Sequence, residues 1–180
     1  MKSSKNHSLL MSALTALALM VLGTANTVQA AVPKAEFKPA PILKGEGVLM
    51  GGKAGPTLAL MDLRRSASAK LKKERVVMDF GGGNLKPANV LVGFFHAELQ
   101  KKPSRLILEL PQTYGSSLSE AQIQSRFKDS LYVKKAMVQF DRNLQSMTMV
   151  LELKSPMQVK VSPIRSRKGP GKLVVDIKPL

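Results

Sequence analysis

Residues 147–153 read MTMVLEL, and this segment decides the fold class. Its apolar side chains recur at every second position, at Met147, Met149, Leu151 and Leu153. Polar Thr148 and Glu152 fall between them, and only Val150 breaks the alternation. In an extended chain successive side chains point to opposite sides, so this pattern predicts a strand with one buried face.

Similar short apolar runs, separated by turn residues, fill the chain after Pro56. They predict strands over residues 57–64, 75–80, 89–95, 105–110, 132–140, 147–153, 157–161 and 172–177. Between the fourth and fifth strands, Ser117 and Glu120 have the spacing of a capping box. We therefore expect one short helix there, over residues 118–127.

The four strands before the helix resemble the four after it. Residues 76–80 (VVMDF) parallel residues 149–153 (MVLEL), and residues 103–111 (PSRLILELP) parallel residues 170–179 (PGKLVVDIKP). We expect each half to form one small antiparallel sheet, and the apolar faces of the two sheets to pack together. The predicted fold is an all-β, two-sheet antiparallel sandwich made of two similar half-repeats, with one short helix between them.

The first 56 residues have a different composition. Residues 1–30 combine Lys2 and Lys5 with an apolar run over 9–25 and end in Val28-Gln29-Ala30, the pattern of a cleavable signal peptide. The alternative is an uncleaved anchor helix. Residues 31–56 are rich in Pro, Lys and Gly and predict a linker or arm. Alternatively, the apolar residues between Ile42 and Met50 form an edge strand.

Composition narrows the range of functions. The chain has 28 Lys and Arg against 12 Asp and Glu, a net charge of +16, with two His and no Cys. These counts exclude a disulfide framework, a thiol nucleophile and a Cys-ligated zinc, and we expect no cofactor. Removal of residues 1–30 takes away two lysines and no acid, which leaves +14. A charge of this size predicts an anionic partner.

Export selects among the possible anions. A periplasmic protein does not meet nucleic acid, but it meets cell-wall carboxylates, lipopolysaccharide phosphates and acidic proteins. The basic clusters that we expect to contact such an anion lie in two related turns. They are Arg165, Arg167 and Lys168 in the last hairpin, and Lys101, Lys102 and Arg105 in the first half. Contacts of this kind are weakened by salt.

Four carboxylates occupy matched positions of the two halves: Asp79, Glu109, Glu152 and Asp176. Two of them facing one bond would permit glycoside hydrolysis. Their recurrence, one on each strand and each near a basic neighbour, instead favours ion pairs that support strand pairing. We therefore expect no enzymatic activity.

The doubled pattern resembles the AMIN domain, a family named for its place N-terminal to cell-wall amidases. The matching segments are RVVMD at 75–79, PSRLILELP at 103–111 and KLVVDI at 172–177, with Glu109 where the family usually has Asp. The resemblance covers residues 57–180 and implies a β-sandwich that binds peptidoglycan and localises envelope proteins. Because the last strand ends near Leu180, we expect a stand-alone copy.

Two other functions stay open. One is a protein adaptor for an amidase, a pilus secretin or a division complex, which binds by strand addition at an exposed sheet edge. The other is a carrier of lipopolysaccharide or lipid, with an apolar cavity between the sheets. After signal cleavage we expect no transmembrane segment.

Overall fold

The computed structural model describes residues 40–82, 92–164 and 169–180. In these ranges the chain forms eleven strands and one helix. The strands are β1 Ile42–Lys44, β2 Gly47–Gly51, β3 Leu58–Ser68, β4 Lys73–Gly81, β5 Phe95–Gln100, β6 Arg105–Pro111, β7 Thr113–Ser116, β8 Val133–Asp141, β9 Ser146–Leu153, β10 Met157–Ile164 and β11 Gly171–Pro179. Helix α1, Glu120–Ser125, lies between β7 and β8.

The strands form two sheets. Sheet A has the order β1-β10-β11-β4-β3-β7, and sheet B has the order β2-β5-β6-β9-β8. All neighbours are antiparallel except β3 and β7. Side chains at every second position, such as Val76 and Met78 in sheet A and Met149 and Leu151 in sheet B, are fully buried in one core. The predicted all-β, two-sheet sandwich with one short helix is confirmed.

The expectation that each half forms its own sheet is wrong. The first half contributes the β3–β4 hairpin to sheet A and the β5–β6 hairpin to sheet B. The second half contributes β8–β9 to sheet B and β10–β11 to sheet A. The halves therefore meet at two central seams, β4–β11 and β6–β9. Period-two patterning specifies which face of a strand is buried but does not specify its neighbour.

One predicted strand is misplaced. Of the predicted segment 89–95, residues 89–91 lie outside the described ranges, and only Phe95 of the remainder belongs to a strand. Strand β5 continues to Gln100, with Phe95, Ala97 and Leu99 buried. The continuous apolar run before Phe95 obscured this weaker alternation, which is completed by pairing with β6.

The predicted linker over 31–56 needs correction in its described part. Strand β1 pairs with β10 at one edge of sheet A, and β2 pairs with β5 at one edge of sheet B. The edge-strand alternative therefore holds for both segments. Leu43 is buried in the core, which explains why this Pro-rich segment is ordered. Gly45, between the two strands, and Gly47, the first residue of β2, adopt positive φ, which lets the chain turn from one sheet to the other.

The predicted helix exists but begins later and is shorter. Its N-cap is Ser119, whose hydroxyl accepts from the Gln122 N–H at 3.2 Å. The Gln122 side chain accepts in return from the Ser119 N–H at 2.8 Å, so the capping box lies two residues beyond the predicted one. The Ser117 hydroxyl instead donates to the Met61 carbonyl and fastens the preceding segment to β3. Ile123 anchors the helix in the core.

The predicted signal peptide, residues 1–30, lies outside the described ranges. Among the residues that are described, no helix has the length and apolar character required to cross a membrane.

Candidate functional site

The predicted turn site of the first half comes together. Lys101, Lys102 and Arg105 line a surface groove of about 680 Å³ at the β5–β6 turn, and Glu46 and Glu98 line the same groove. The Arg105 guanidinium donates to the Gln100 side chain, whose amide donates to Glu98 at 2.6 Å. The groove therefore carries both signs of charge, and its arginine already has a polar partner.

The other predicted cluster, Arg165, Arg167 and Lys168, lies outside the described residues. Its role, and the expected cooperation of the two turns, stay predictions.

A larger concentration of positive charge covers the outward side of sheet A. We call this side the cationic face. Its basic side chains are Lys44, Arg64, Lys73, Arg75, Lys160, Lys172 and Lys178, and its acids are Asp62, Asp79 and Asp176. Seven cations and three anions thus share this side of strands β1, β10, β11, β4 and β3, and the anions lie on β11, β4 and β3. Sequence alone does not bring these cations together, because their neighbourhood depends on strand order.

Asp176 lies at the centre of one part of this face. Arg75 holds it with two donors, Nε at 2.6 Å and Nη2 at 2.9 Å, and Lys73 Nζ is 3.1 Å from Oδ2. Burial alone raises the pKa of Asp176, but the hydrogen bonds and positive charges of Arg75 and Lys73 outweigh it, so its pKa is below the ordinary value. The hydrogen bond to Asp176 also raises the pKa of Arg75.

A groove of about 350 Å³ surrounds this carboxylate, and we call it the Asp176 groove. Its lining residues are Ile42, Lys73, Arg75, Gln158, Lys160, Asp176 and Lys178. Lys160 lies directly opposite Asp176 on β10, and Lys178 follows two residues later on β11. In the described part of the chain, neither lysine forms an ion pair. The Asp176 groove therefore has four cations and one anion.

The second carboxylate of the cationic face has a balanced environment. Asp79 accepts from Arg64 Nη2 at 2.6 Å and from Lys172 Nζ at 2.8 Å. Asp62 adds a second carboxylate 3.5 Å from Arg64 Nε. Two cations meet two anions here, so the surplus of the cationic face is concentrated in the Asp176 groove.

The outward side of sheet B is different. Its charged side chains are mostly acidic and include Glu98, Glu109 and Glu152, of which Glu152 lies opposite Arg105 and Lys135. One row of side chains runs across all five strands and is apolar on four of them, with Val48, Ile107, Val150 and Met137. On β5 the same row is occupied by Glu98. The positive charge of the described residues is thus distributed unevenly between the two faces of the sandwich.

The four matched carboxylates do not converge on one site. Asp79 and Asp176 lie on the outward side of sheet A, and Glu109 and Glu152 lie on the outward side of sheet B. Asp79 and Asp176 form the ion pairs described above, and Glu109 Oε2 is 3.0 Å from His96 Nδ1. The ion pairs agree with a role in strand pairing for the two aspartates.

A buried ionic network was not foreseen. Glu74 is completely buried, and Oε1 accepts from the Ser130 hydroxyl at 2.6 Å and from Arg65 Nη1 at 3.3 Å. Its Oε2 accepts from the Tyr132 N–H at 3.0 Å. Arg65 also donates to the Arg126 carbonyl at 2.7 Å, so the network ties β3 and β4 to the segment after α1. The signal was present, because Glu74 shares the alternation of Val76 and Met78 and therefore faces the core.

Among the described residues, no three His, Cys, Asp or Glu side chains are grouped so that they could hold a metal ion. Comparison with protein-family models and with curated protein sequences gives no match to this chain.

Proposed function

We propose that this protein is a non-catalytic, periplasmic peptidoglycan-binding module that localises to the cell wall. The observation that carries this function is the cationic face, on which seven basic side chains are held by paired strands against three acids. The export pattern of residues 1–30 and the resemblance to the AMIN domain support the same function.

Sheet geometry explains how such a face would work. Neighbouring strands lie about 4.8 Å apart, and side chains on one face repeat about every 6.6 Å along each strand. The cations therefore form a fixed array that can meet several carboxylates of a polymer at once. Single contacts between exposed charges are weak and salt-sensitive, and the repetition of the wall polymer raises the overall affinity.

The test is co-sedimentation of the exported protein with protein-free peptidoglycan sacculi across a salt series. Three double variants have the same change in net charge. Lys160→Glu with Lys178→Glu alters the cationic face, Lys101→Glu with Lys102→Glu alters the first predicted turn, and Lys53→Glu with Lys128→Glu alters exposed positions elsewhere.

We expect the first variant to lose most of the pelleted fraction at physiological salt and the third to keep it. An equal loss in all three would mean that only net charge matters. Pelleting of the wild type no greater than that of a globular protein of equal charge would overturn the function. A loss confined to the second variant would place the contact at the first turn instead.

A protein adaptor is the second candidate, and one observation favours it. In the part of the chain that the structure describes, strand β8 is nine residues long and pairs with β9 alone, so it is an edge strand of sheet B, the kind of strand to which a further strand can add. Adaptor binding would persist at high salt, require a protein partner and be blocked by Gln139→Pro. A lipid-carrier function has less support, because large side chains such as Phe80, Phe95 and Met147 fill the space between the sheets.

A further inference from the structure

We propose that the Asp176 groove is a subsite for one oxyanion, the free carboxylate at the end of a short peptide branch. This inference rests on the proposed function and specifies which group of the wall the cationic face recognises. Lys160 and Lys178 are the two residues that would hold the carboxylate.

The first argument is the way in which Asp176 is occupied. Its two oxygens are taken by the fork of Arg75 and by Lys73. Lys160 lies directly across the ladder from Asp176, where opposite charges would normally pair, yet it forms no ion pair among the described residues. Its ammonium group is therefore left for an anion that comes from outside.

The second argument is the charge balance of the groove against that of its neighbour on the same face. Around Asp79 two cations meet two anions, whereas around Asp176 four cations meet one. Of these two neighbouring sites on the cationic face, the Asp176 groove is therefore the one that offers an incoming carboxylate a surplus of positive charge. Asp176 itself holds Arg75 and Lys73 in place, so their positive charges are fixed beside Lys160 and Lys178.

The third argument concerns the chemistry beside the charge. Ile42 lies in the same groove opposite Lys160 and is 53% exposed, and Gln158 lies opposite Lys178. An aliphatic surface next to an amide donor suits a carboxylate attached to a small amino acid, with its methyl group on Ile42. A free inorganic anion or a lipid phosphate would gain nothing from Ile42.

The experiment is an NMR titration of the exported protein with three probes. The probes are an acetylated dipeptide ending in D-alanine with a free carboxylate, the same peptide with a C-terminal amide, and inorganic phosphate. We expect the free carboxylate to shift the backbone resonances of Ile42, Lys160 and Lys178, and the amide to leave them unchanged.

Lys160→Met with Lys178→Met removes both charges and keeps the aliphatic stems. We expect this variant to weaken binding of the carboxylate peptide at least fivefold, and the matched control Lys53→Met with Lys128→Met to bind as the wild type does. NMR spectra of both variants that match the wild-type spectrum outside the substituted positions will show that the fold is intact.

Three outcomes would overturn the inference. They are equal shifts with the amide peptide, shifts confined to residues outside the groove, and tighter binding of phosphate than of the carboxylate peptide, which would identify a phosphate source. Failure of the subsite inference can be distinguished from failure of the proposed function. If the wild type pellets with sacculi while the peptide leaves the resonances of the groove unchanged, the wall-binding function is supported and the subsite is refuted.

Discussion

The two central seams of the sandwich are built from similar sequences but carry different chemistry. In the β4–β11 seam of sheet A, Asp79 and Asp176 are each held by two cations. The repeat-related residues of the β6–β9 seam in sheet B are Glu152 and Glu109. In the described part of the chain Glu152 forms no ion pair, and Glu109 contacts only His96 among the ionisable groups.

The difference arises from the residues that surround each carboxylate. In sheet A, the flanking strand β3 supplies Arg64 to Asp79, whereas the Lys73 and Arg75 that hold Asp176 lie on β4, within the seam itself. In sheet B, Gln100 on the flanking strand β5 takes the guanidinium of Arg105, which lies opposite Glu152. A repeated strand pattern therefore produces equivalent backbones, while the neighbours decide whether the outward face becomes an array of cations.

The same contrast continues on the buried side. Glu74 in β4 corresponds to Met147 in β9, and both are completely buried. The carboxylate of Glu74 requires Arg65, Ser130 and the Tyr132 N–H as partners, whereas the Met147 side chain requires only apolar contacts. Loss of the Glu74 carboxylate should therefore affect stability more than the loss of any carboxylate on the outward faces.

Glu74→Ala should lower the free energy of unfolding by about 3–5 kcal/mol, because it leaves Arg65, which is only 17% exposed, without its counter-charge. The Ser130 hydroxyl also loses its acceptor. Urea denaturation followed by circular dichroism measures the loss. Arg65→Leu combined with Glu74→Leu should recover most of it, since both charges are then removed. A single variant as stable as the wild type would mean that the network does not stabilise the fold.

Asp79→Asn should cost about 1.5–3 kcal/mol, since two charge-assisted hydrogen bonds to a buried carboxylate are lost. The repeat-related change Glu152→Gln should alter stability by less than about 0.5 kcal/mol, because no described cation pairs with Glu152. The same denaturation experiment compares the two variants. Equal losses would show that the seams are energetically alike despite their different contacts.

Much of the fold could be predicted from these strands. The alternation of β6, β9 and β11 fixed their bounds within two residues, because each has one strictly apolar face. The exchange of hairpins between sheets could not be predicted, since similar halves have similar apolar faces and either pairing buries them. Strands β1 and β2 were difficult to predict, because strands of three and five residues in a Pro-rich segment are too short to show a clear alternation of apolar and polar side chains.

The candidate site was predictable only in part. Local runs of basic residues could be read directly, and Lys101, Lys102 and Arg105 do line one groove. The Asp176 groove joins residues from four strands, and its central ion pair links Arg75 to a residue 101 positions away. Such a cluster depends on register and strand order, which a single sequence does not specify for long-range pairs.

Asp176→Asn offers a way to sharpen the contrast between the seams through binding. This change removes the one negative charge of the Asp176 groove, and with it the repulsion of an incoming anion. Two like charges 4 Å apart in water repel by about 1 kcal/mol, so the anion should bind about fivefold more tightly. Glu109→Gln makes the same charge change on sheet B and should leave that affinity unchanged. Titration with the carboxylate peptide measures both, and a weaker complex with Asp176→Asn would mean that ordering of Arg75 and Lys73 outweighs repulsion.

The smallest expected effect is the pH dependence of stability at the same pair of positions. The pKa of Asp176 is lower in the folded protein than in the unfolded chain, because the bonds from Arg75 and Lys73 outweigh the effect of burial. Its contribution is therefore fully present above the unfolded value of about 3.9 and is lost as the pH falls through the lower folded value. For a partly exposed pair this contribution is at most about 1 kcal/mol.

Asp176→Asn should thus reduce stability at pH 7 by up to that amount and by progressively less below about pH 4. Glu109→Gln, at a side chain that is 55% exposed, should change stability at pH 7 by less than about 0.5 kcal/mol. Urea denaturation of the wild type and both variants between neutral and acidic pH measures the difference. A stability gap between wild type and Asp176→Asn that widened on acidification would contradict the direction of the shift, and with it the view that Arg75 and Lys73 are held by the charge of Asp176.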